Sequence, residues 1–300
     1  MSIGPAVVVR FSSLGDVVLS GAVTGGLEPV TFVTRARYLE VAARLPGVAR
    51  VVALKEGDSF AALASRLPAG VLRVDLHGSL RARLLGAWSG GSWRRIQQDA
   101  CRRHLRVAFK TAPGRTVVAR YAAAAGVSAV PPPWIRSDGP RDALLVAPGS
   151  RWAVKRWPPA RFAAVAAAWE GPVVVLGGPG EEDLCAAVAG PVGPRAEVVA
   201  DPGFSGVLAA LGRGRAALGN DAGLAHLCAA AGIPTVVVFG ATSAIDGFWE
   251  DRCLSVEADL ECRPCTRFGR GECPFGDHRC MDLLSVEAVS SAVRRAGGLE

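Results

Sequence analysis

Lysine is nearly absent from this chain. Of its 34 basic residues only Lys55, Lys110 and Lys155 are lysines, and the other 31 are arginines. Long apolar runs are missing too: none reaches the roughly 18 residues that a spanning helix needs. The chain runs straight into Ala6-Val-Val-Val9, with neither a basic leader nor a small-residue cleavage site, so the expectation is a soluble cytoplasmic protein. No internal repeat of fixed period is present, and the Ala-rich stretches such as 163–168 report helix propensity, not function. Aromatic residues are absent between positions 94 and 108, where arginines cluster. That absence argues against stacking on nucleic-acid bases.

What is there points to two ordinary domains. Half of the 300 residues are apolar, enough to bury two separate cores. The formal charge of +7 is uneven, because positions 73–120 hold eleven basic residues (Arg73, Arg81, Arg83, Arg94, Arg95, Arg102, Arg103, Arg106, Lys110, Arg115 and Arg120) against Asp75 and Asp99. A local excess of nine charges calls for an anionic partner, such as a phosphorylated lipid, a membrane surface or nucleic acid. A solvated arginine-rich face is the plainer reading of the same residues.

Short β-branched runs alternate with Ala/Leu-rich stretches, the pattern of parallel strands joined by crossover helices. Strands are expected near 6–10, 30–33, 50–54 and 71–75, with helices near 36–45, 58–66 and 79–87 and a basic segment over 93–109. Pro131-Pro-Pro133 and the polar 136–140 patch deny both helix and central strand, placing a domain boundary there. A second series follows, with strands near 143–146, 172–176, 196–199, 215–218 and 234–239 and helices near 160–169, 181–189, 204–211 and 222–231. The expected shape is α/β, with two Rossmann-like doubly wound domains, 1–137 and 138–300, facing a central cleft, and a terminal helix.

Ligands of such sheets lie beyond the carboxyl ends of the strands, and three of those loops are unusual. Arg10-Phe-Ser-Ser-Leu-Gly-Asp16 sets hydroxyls of Ser12 and Ser13 and a carboxylate behind the first strand. Asp16 there can take a proton from a hydroxyl, or simply cap the next helix. Ala147-Pro-Gly-Ser-Arg-Trp-Ala-Val-Lys-Arg-Trp-Pro158 is longer than the two to six residues usual between strand and helix. Its Gly149, Ser150 and Lys155 are suited to phosphate. Leu218-Gly-Asn-Asp-Ala-Gly-Leu-Ala-His226 opens a helix whose first amides, at Ala222 and Gly223, favour an anion. Asp221 would repel that anion, which suggests that it caps local amides or meets Lys155 or a ribose hydroxyl. His226 reads as a phosphate or nucleoside contact, or as a satisfied core histidine.

Taken in order, these loops together with Val74-Asp-Leu-His-Gly-Ser-Leu-Arg81, Leu176-Gly-Gly-Pro-Gly-Glu181 and Val238-Phe-Gly-Ala-Thr242 resemble glycosyltransferase family 9, the ADP-heptose:lipopolysaccharide heptosyltransferase family. The resemblance spans about residues 6–290. It implies a GT-B fold and an inverting transfer of a heptose or similar sugar from an ADP-sugar donor to an anionic, lipopolysaccharide-core-like glycolipid. Asp16 is then the general base, and Ser150, Lys155, Glu181, Glu182, Asp221, Ala222, Gly223 and His226 bind the donor. Ser12, Ser13, His77, Arg81 and Arg120 fall on the acceptor side. No cofactor or divalent metal is implied for transfer, and peripheral contact with the inner face of the cytoplasmic membrane is. Two features depart from the family pattern: Ala222 stands where Ser or Thr is usual, and positions 21–29 are shortened on the acceptor side.

Near the end, Cys262, Cys265, Cys273 and Cys280 form C-x2-C-x7-C-x6-C. The expectation is a structural zinc or iron, with free thiols and disulfides as the other readings, since the second pair is not a CxxC. Related heptosyltransferases often carry a similar cluster. Two other functions fit parts of the sequence: a nucleotide-sugar epimerase or hydrolase on the same fold, and a non-enzymatic nucleic-acid-binding protein drawing on the basic stretch and the cysteines.

Overall fold

The computed structural model describes residues 3–110, 114–200, 203–244, 247–248, 253–266, 268–269 and 271–299. Two compact units emerge, one of Met1–Asp99 with Arg115–Arg136, the other of Ala100–Gly114 with Ser137–Glu300. The prolines at 131–133 thus lie close to the main crossing between units. The sequence division at 137 differs in one segment: the helix Ala100–Phe109 belongs with the second unit. The side chains of Arg102 and Arg103 lie outside the described residues.

In the first unit, strands β1 (Ala6–Val9), β2 (Val30–Arg35), β3 (Val48–Leu54), β4 (Leu72–Asp75) and β5 (Trp93–Arg95) form a sheet of order β3-β2-β1-β4-β5. Every pairing is parallel. β1 is buried along its whole length, as an apolar run covered on both faces should be. Val7, Val9, Val33, Val52, Leu63 and Leu85 pack one layer of its core. The helix expected over 36–45 is a single 3-10 turn, Ala36–Tyr38, continued by Leu39–Ala42, and Pro46 follows the chain closely there.

The second unit repeats the plan with β6 (Ala143–Ala147), β7 (Val173–Gly177), β8 (Ala196–Ala200), β9 (Gly214–Asn220), β10 (Thr235–Phe239) and β11 (Cys253–Glu257), in the order β11-β10-β9-β6-β7-β8. These pairings are parallel as well. Trp157 and Phe162 meet edge to face at 5.1 Å inside its core, and the Trp157 Nε1–H donates to the Leu284 carbonyl at 3.2 Å. That bond ties the loop after β6 to the segment before the terminal helix Val286–Ala296.

Both sheets reverse their winding at one place. In the first, β1 neighbours β4, and in the second β6 neighbours β9. At such a reversal the connections leave in opposite directions and open a crevice at the carboxyl ends of the two strands. Two edge strands were not foreseen from the sequence. β5 is a three-residue basic strand, and β11, Cys-Leu-Ser-Val-Glu, is largely exposed, so neither carries the apolar run that marks a buried strand.

Among the described residues, no helix is long and apolar enough to cross a membrane. Phe162 has no solvent exposure, and Phe162→Ala should cost about 3–5 kcal/mol of stability in the second unit, measurable by urea unfolding.

Candidate active site

At the reversal of the first sheet, the loop after β1 turns into the helix Leu14–Leu19. Asp16 sits in its first turn. Its Oδ2 accepts the Ser13 amide at 3.0 Å and the Ser13 hydroxyl at 2.8 Å, and meets Arg10 Nη2 at 2.6 Å. The capping reading of Asp16 is therefore realised, since its carboxylate takes the amide of the residue before the helix. Its other oxygen, Oδ1, lies 3.4 Å from the Tyr121 hydroxyl. Burial by itself would favour the protonated acid, but the Arg10 charge and the Ser13 donors outweigh it and hold the carboxyl at about 2.

Arg10 is the residue on which this corner turns. Beyond its pairing with Asp16, its Nη1 donates to the Leu76 carbonyl at 2.6 Å just past β4. The guanidinium thus joins the ends of β1 and β4 while neutralising the carboxylate. Asp75, wholly buried at the end of β4, accepts the amides of His77 and Gly78 at 2.8 Å each. His77 stands edge-on to Phe11 at 5.3 Å. Burial, then the Arg10 charge, push its imidazole down to about 4, so it is neutral at physiological pH. Ser12, Ser13 and His77 are thereby gathered with Asp16 around one strand reversal. Arg81 is exposed on the helix Leu80–Ser89. Arg120 is 4% exposed, inside the unit on the helix Val117–Ala125.

At the reversal of the second sheet, the loop after β6 carries a 3-10 turn, Ala153–Lys155. The Lys155 ammonium pairs with Asp221 Oδ2, just beyond β9, and the Thr242 hydroxyl donates to the same oxygen at 2.6 Å. Burial opposes ionisation of Asp221, while the lysine charge and Thr242 hold its carboxyl below the ordinary range. Of the partners open to Asp221 in the sequence, Lys155 is the one it takes. Asn220, fully buried, links the same loops: its Nδ2 donates to the Pro148 carbonyl at 2.7 Å and its Oδ1 accepts the Trp157 amide at 3.0 Å.

The helix Gly223–Ala230 starts immediately after, with Ala222 extended at its N-cap and making no side-chain capping bond. An alanine there leaves the first amides of the helix without the side-chain acceptor that Ser or Thr would provide. His226, one turn in, stacks on Phe248 with ring centroids 3.7 Å apart and planes 13° from parallel. Ser150 is buried, and its carbonyl accepts Arg156 Nε at 2.7 Å. Glu181 accepts the Gly178 amide at 2.8 Å, and its carboxylate lies where a Cβ on Gly149 would fall. Glu182 is exposed and accepts the Gly180 amide at 3.2 Å. Seven of the eight expected donor-side residues, all but Glu182, are thus half-buried or buried around the carboxyl ends of β6, β7 and β9. Thr242, Asn220 and Arg10 were missed as working residues, because each makes a bond to a different loop, at Asp221, at Pro148 and Trp157, and at Leu76.

The cysteines at 262, 265, 273 and 280 are all free thiols. Burial first, and then the neighbouring thiols, push Cys265 and Cys280 up. They do not converge as a ligand set: among the described residues no group of three or more His, Cys, Asp or Glu side chains is placed to hold a metal ion.

Two parallel-sheet units, each with a polar cluster at its strand reversal, define a GT-B glycosyltransferase. The profile of glycosyltransferase family 9 (heptosyltransferase) matches residues 88–272, more than half of the chain, and the protein belongs to that family. A family 9 glycosyltransferase from Veillonella parvula superposes with a TM-score of 0.77 at 16% identity, covering 100% of this chain and 98% of its own. The Escherichia coli heptosyltransferase WaaC, solved with ADP, gives 0.73 at 19% identity over 97% and 99%. ADP-heptose LPS heptosyltransferase II from the same organism gives 0.70 at 17% over 99% and 98%. No curated protein is matched by sequence.

The Asp16 clamp has a measurable consequence. Its folded value of about 2 lies below the ordinary 3.8, so the stabilisation is complete above the ordinary value and disappears as pH falls through the folded one. Wild type should lose stability from about pH 4 to about pH 2 more steeply than Asp16→Asn, which should already be less stable at neutral pH. Parallel chemical denaturation curves across that window test this, and coincident slopes would remove the clamp.

Proposed function

We propose that the protein transfers a heptose or similar sugar, with inversion, from an ADP-sugar to an anionic, lipopolysaccharide-core-like glycolipid. The observation that carries the donor half is the meeting of Lys155, Asp221 and the start of the helix Gly223–Ala230 at one strand reversal. A diphosphate there would be met by an ammonium and by helix amides carrying partial positive charge. WaaC has been solved with ADP and with ADP-2-deoxy-2-fluoro heptose, which supports the same nucleotide here.

In this reading the acceptor hydroxyl attacks the anomeric carbon, the bond from that carbon to the diphosphate oxygen breaks, and the hydroxyl proton passes to the Asp16 carboxylate. Arg10 keeps that carboxylate ionised and aimed, and it also makes it a weak base. Proton transfer would therefore come late, when the attacking oxygen is already bonded to an electron-poor carbon and has become strongly acidic. Charge developing on the leaving diphosphate is stabilised by Lys155 and the amides of Ala222 and Gly223. Glu181 stands beside Gly149 as a candidate nucleoside contact, and Ser12, Ser13 and His77 line the acceptor side.

The acceptor half rests on charge. No acidic residue stands between Asp75 and Asp99. On the helix Leu80–Ser89, Leu80, Leu84 and Trp88 are 72%, 40% and 66% exposed. Spaced four apart, they line one face, with Arg81 and Arg83 exposed on the same helix. An exposed apolar stripe beside arginines suits the surface of an anionic bilayer.

Melting curves with ADP, UDP and GDP should show selective stabilisation by ADP, because a ligand that binds the native state raises the midpoint. Asp16→Ala should abolish transfer to a truncated lipid acceptor, read by mass, while leaving ADP binding near wild type. Loss of ADP binding in that variant would remove Asp16 from the acceptor side.

Sedimentation with vesicles tests the membrane contact separately. Binding is expected with equal parts of phosphatidylglycerol and phosphatidylcholine and not with phosphatidylcholine alone. Arg81→Glu and Arg83→Glu should each weaken it by at least about fivefold. Unchanged binding in both variants would detach this helix from the lipid.

A further inference from the structure

The Cys-rich segment is the one sequence motif that the transfer reading leaves without work, and its contacts point to a task in the second unit. It lies directly on the donor-side residues. Arg263, between the first two cysteines, has a side chain only 8% exposed. Its guanidinium reaches four acceptors: the Gly240 carbonyl at 2.6 Å, the Ala258 carbonyl at 2.6 Å, the Thr242 carbonyl at 2.9 Å and the Glu257 carboxylate at 2.6 Å. The backbone adds to this grip, as the amides of Cys265 and Thr266 donate to the Ala241 carbonyl at 3.1 and 3.3 Å.

Every carbonyl from Gly240 to Thr242 is thus held by this segment. Thr242 is the residue whose hydroxyl bonds Asp221, and Asp221 pairs with Lys155. A second contact reaches the lysine itself. Gly269 is buried at φ +76°, and a Cβ there would overlap the Cε, Cδ and Cγ atoms of Lys155. The lysine stem therefore lies flat against the backbone of the Cys-rich loop. From the other side, Lys110 Nζ donates to the carbonyls of Cys262 and Pro264 at 2.8 Å each, and Arg106 bonds the Ser243 hydroxyl at 3.2 Å. These two residues explain why the helix Ala100–Phe109 travels with the second unit.

We propose that the Cys-rich segment is a strap that sets the position of the Lys155–Asp221 pair, with Arg263 and Gly269 as its positioning residues. Arg263 fixes the loop that presents Thr242 to Asp221, and Gly269 gives the Lys155 stem its bed. The strap works through side-chain and backbone hydrogen bonds. In function it would hold the pair for a donor diphosphate, a consequence that rests on the reading of that pair as the donor site.

The scarcity of lysine makes a direct test possible. With only Lys55, Lys110 and Lys155 in the chain, protein labelled with 13C at the lysine ε-carbon gives three NMR signals, assigned through Lys155→Arg and Lys110→Arg. Gly269→Ala and Arg263→Gln should each move the Lys155 signal and leave that of Lys55 in place. Arg263→Lys, which keeps the charge but not the planar fork, should move it less. In the same samples, Gly269→Ala and Arg263→Gln should weaken ADP binding by about tenfold, the worth of one hydrogen bond to a charged group. An unmoved Lys155 signal in both variants overturns the strap. A signal that moves while even wild type binds no ADP upholds the strap and overturns the donor reading instead. Because Gly269→Ala leaves every hydrogen bond of Arg263 intact, unfolding of the arginine variant would still leave the glycine variant to decide.

Discussion

The pairing of Lys155 with Asp221 puts opposite charges where β6 and β9 run side by side at the reversal of the second sheet. Charges withdrawn from water are tolerated only when the pair is well formed and its remaining valences are met. Here Thr242 meets one, Asn220 locks together the two loops that bring the partners in, and the Cys-rich segment holds Thr242. Removing either charge would leave the other desolvated and alone, which costs far more than a lost surface bridge. The bare backbone of Gly269 leaves room for the Lys155 stem, and the connection after β10 brings Thr242 to Asp221.

The first unit solves the same problem with different residues. Its reversal between β1 and β4 also carries a carboxylate and a cation, but Arg10 comes from the strand end and Asp16 from the helix start. An arginine can serve the Leu76 carbonyl and the carboxylate at once, because its fork has several fixed donors. A lysine ammonium is a compact point charge on a flexible stem, which is what a phosphate contact needs. The near absence of lysine elsewhere makes the one at 155 stand out. The two sites thus differ in geometry, one fixing a carboxylate with a planar fork and the other pairing it with a point charge on a flexible stem.

The segment Ala100–Gly114 belongs to the second unit although the residues on either side of it belong to the first. Its polar contacts run to residues more than a hundred positions away: Arg106 reaches Ser243, and Lys110 reaches Cys262 and Pro264. A basic run in the sequence was therefore more than an electrostatic patch. Part of it faces outward beside the stripe of Leu80, Leu84 and Trp88, and part of it ties down the strap.

The alternation of β-branched and Ala/Leu-rich runs fixed the fold class, because strands buried on both faces must be apolar throughout. It located nine of the eleven strands described here. The loops after β1, β6 and β9 were legible as well, since glycine, hydroxyl and charge at a strand end form an unusual local composition. Which of those charges meet was decided only in three dimensions. Asp221 could have served its own amides or a ligand, and it took Lys155. Asp16 could have been a cap or a free base, and it is clamped by Arg10 while capping. Arg263, between the first two cysteines, bridges four acceptors that no local pattern connects to it. A sequence records periodicity and local chemistry, but a hydrogen bond between residues 66 or 137 positions apart leaves no period to read. Folding the sheets brought those partners together.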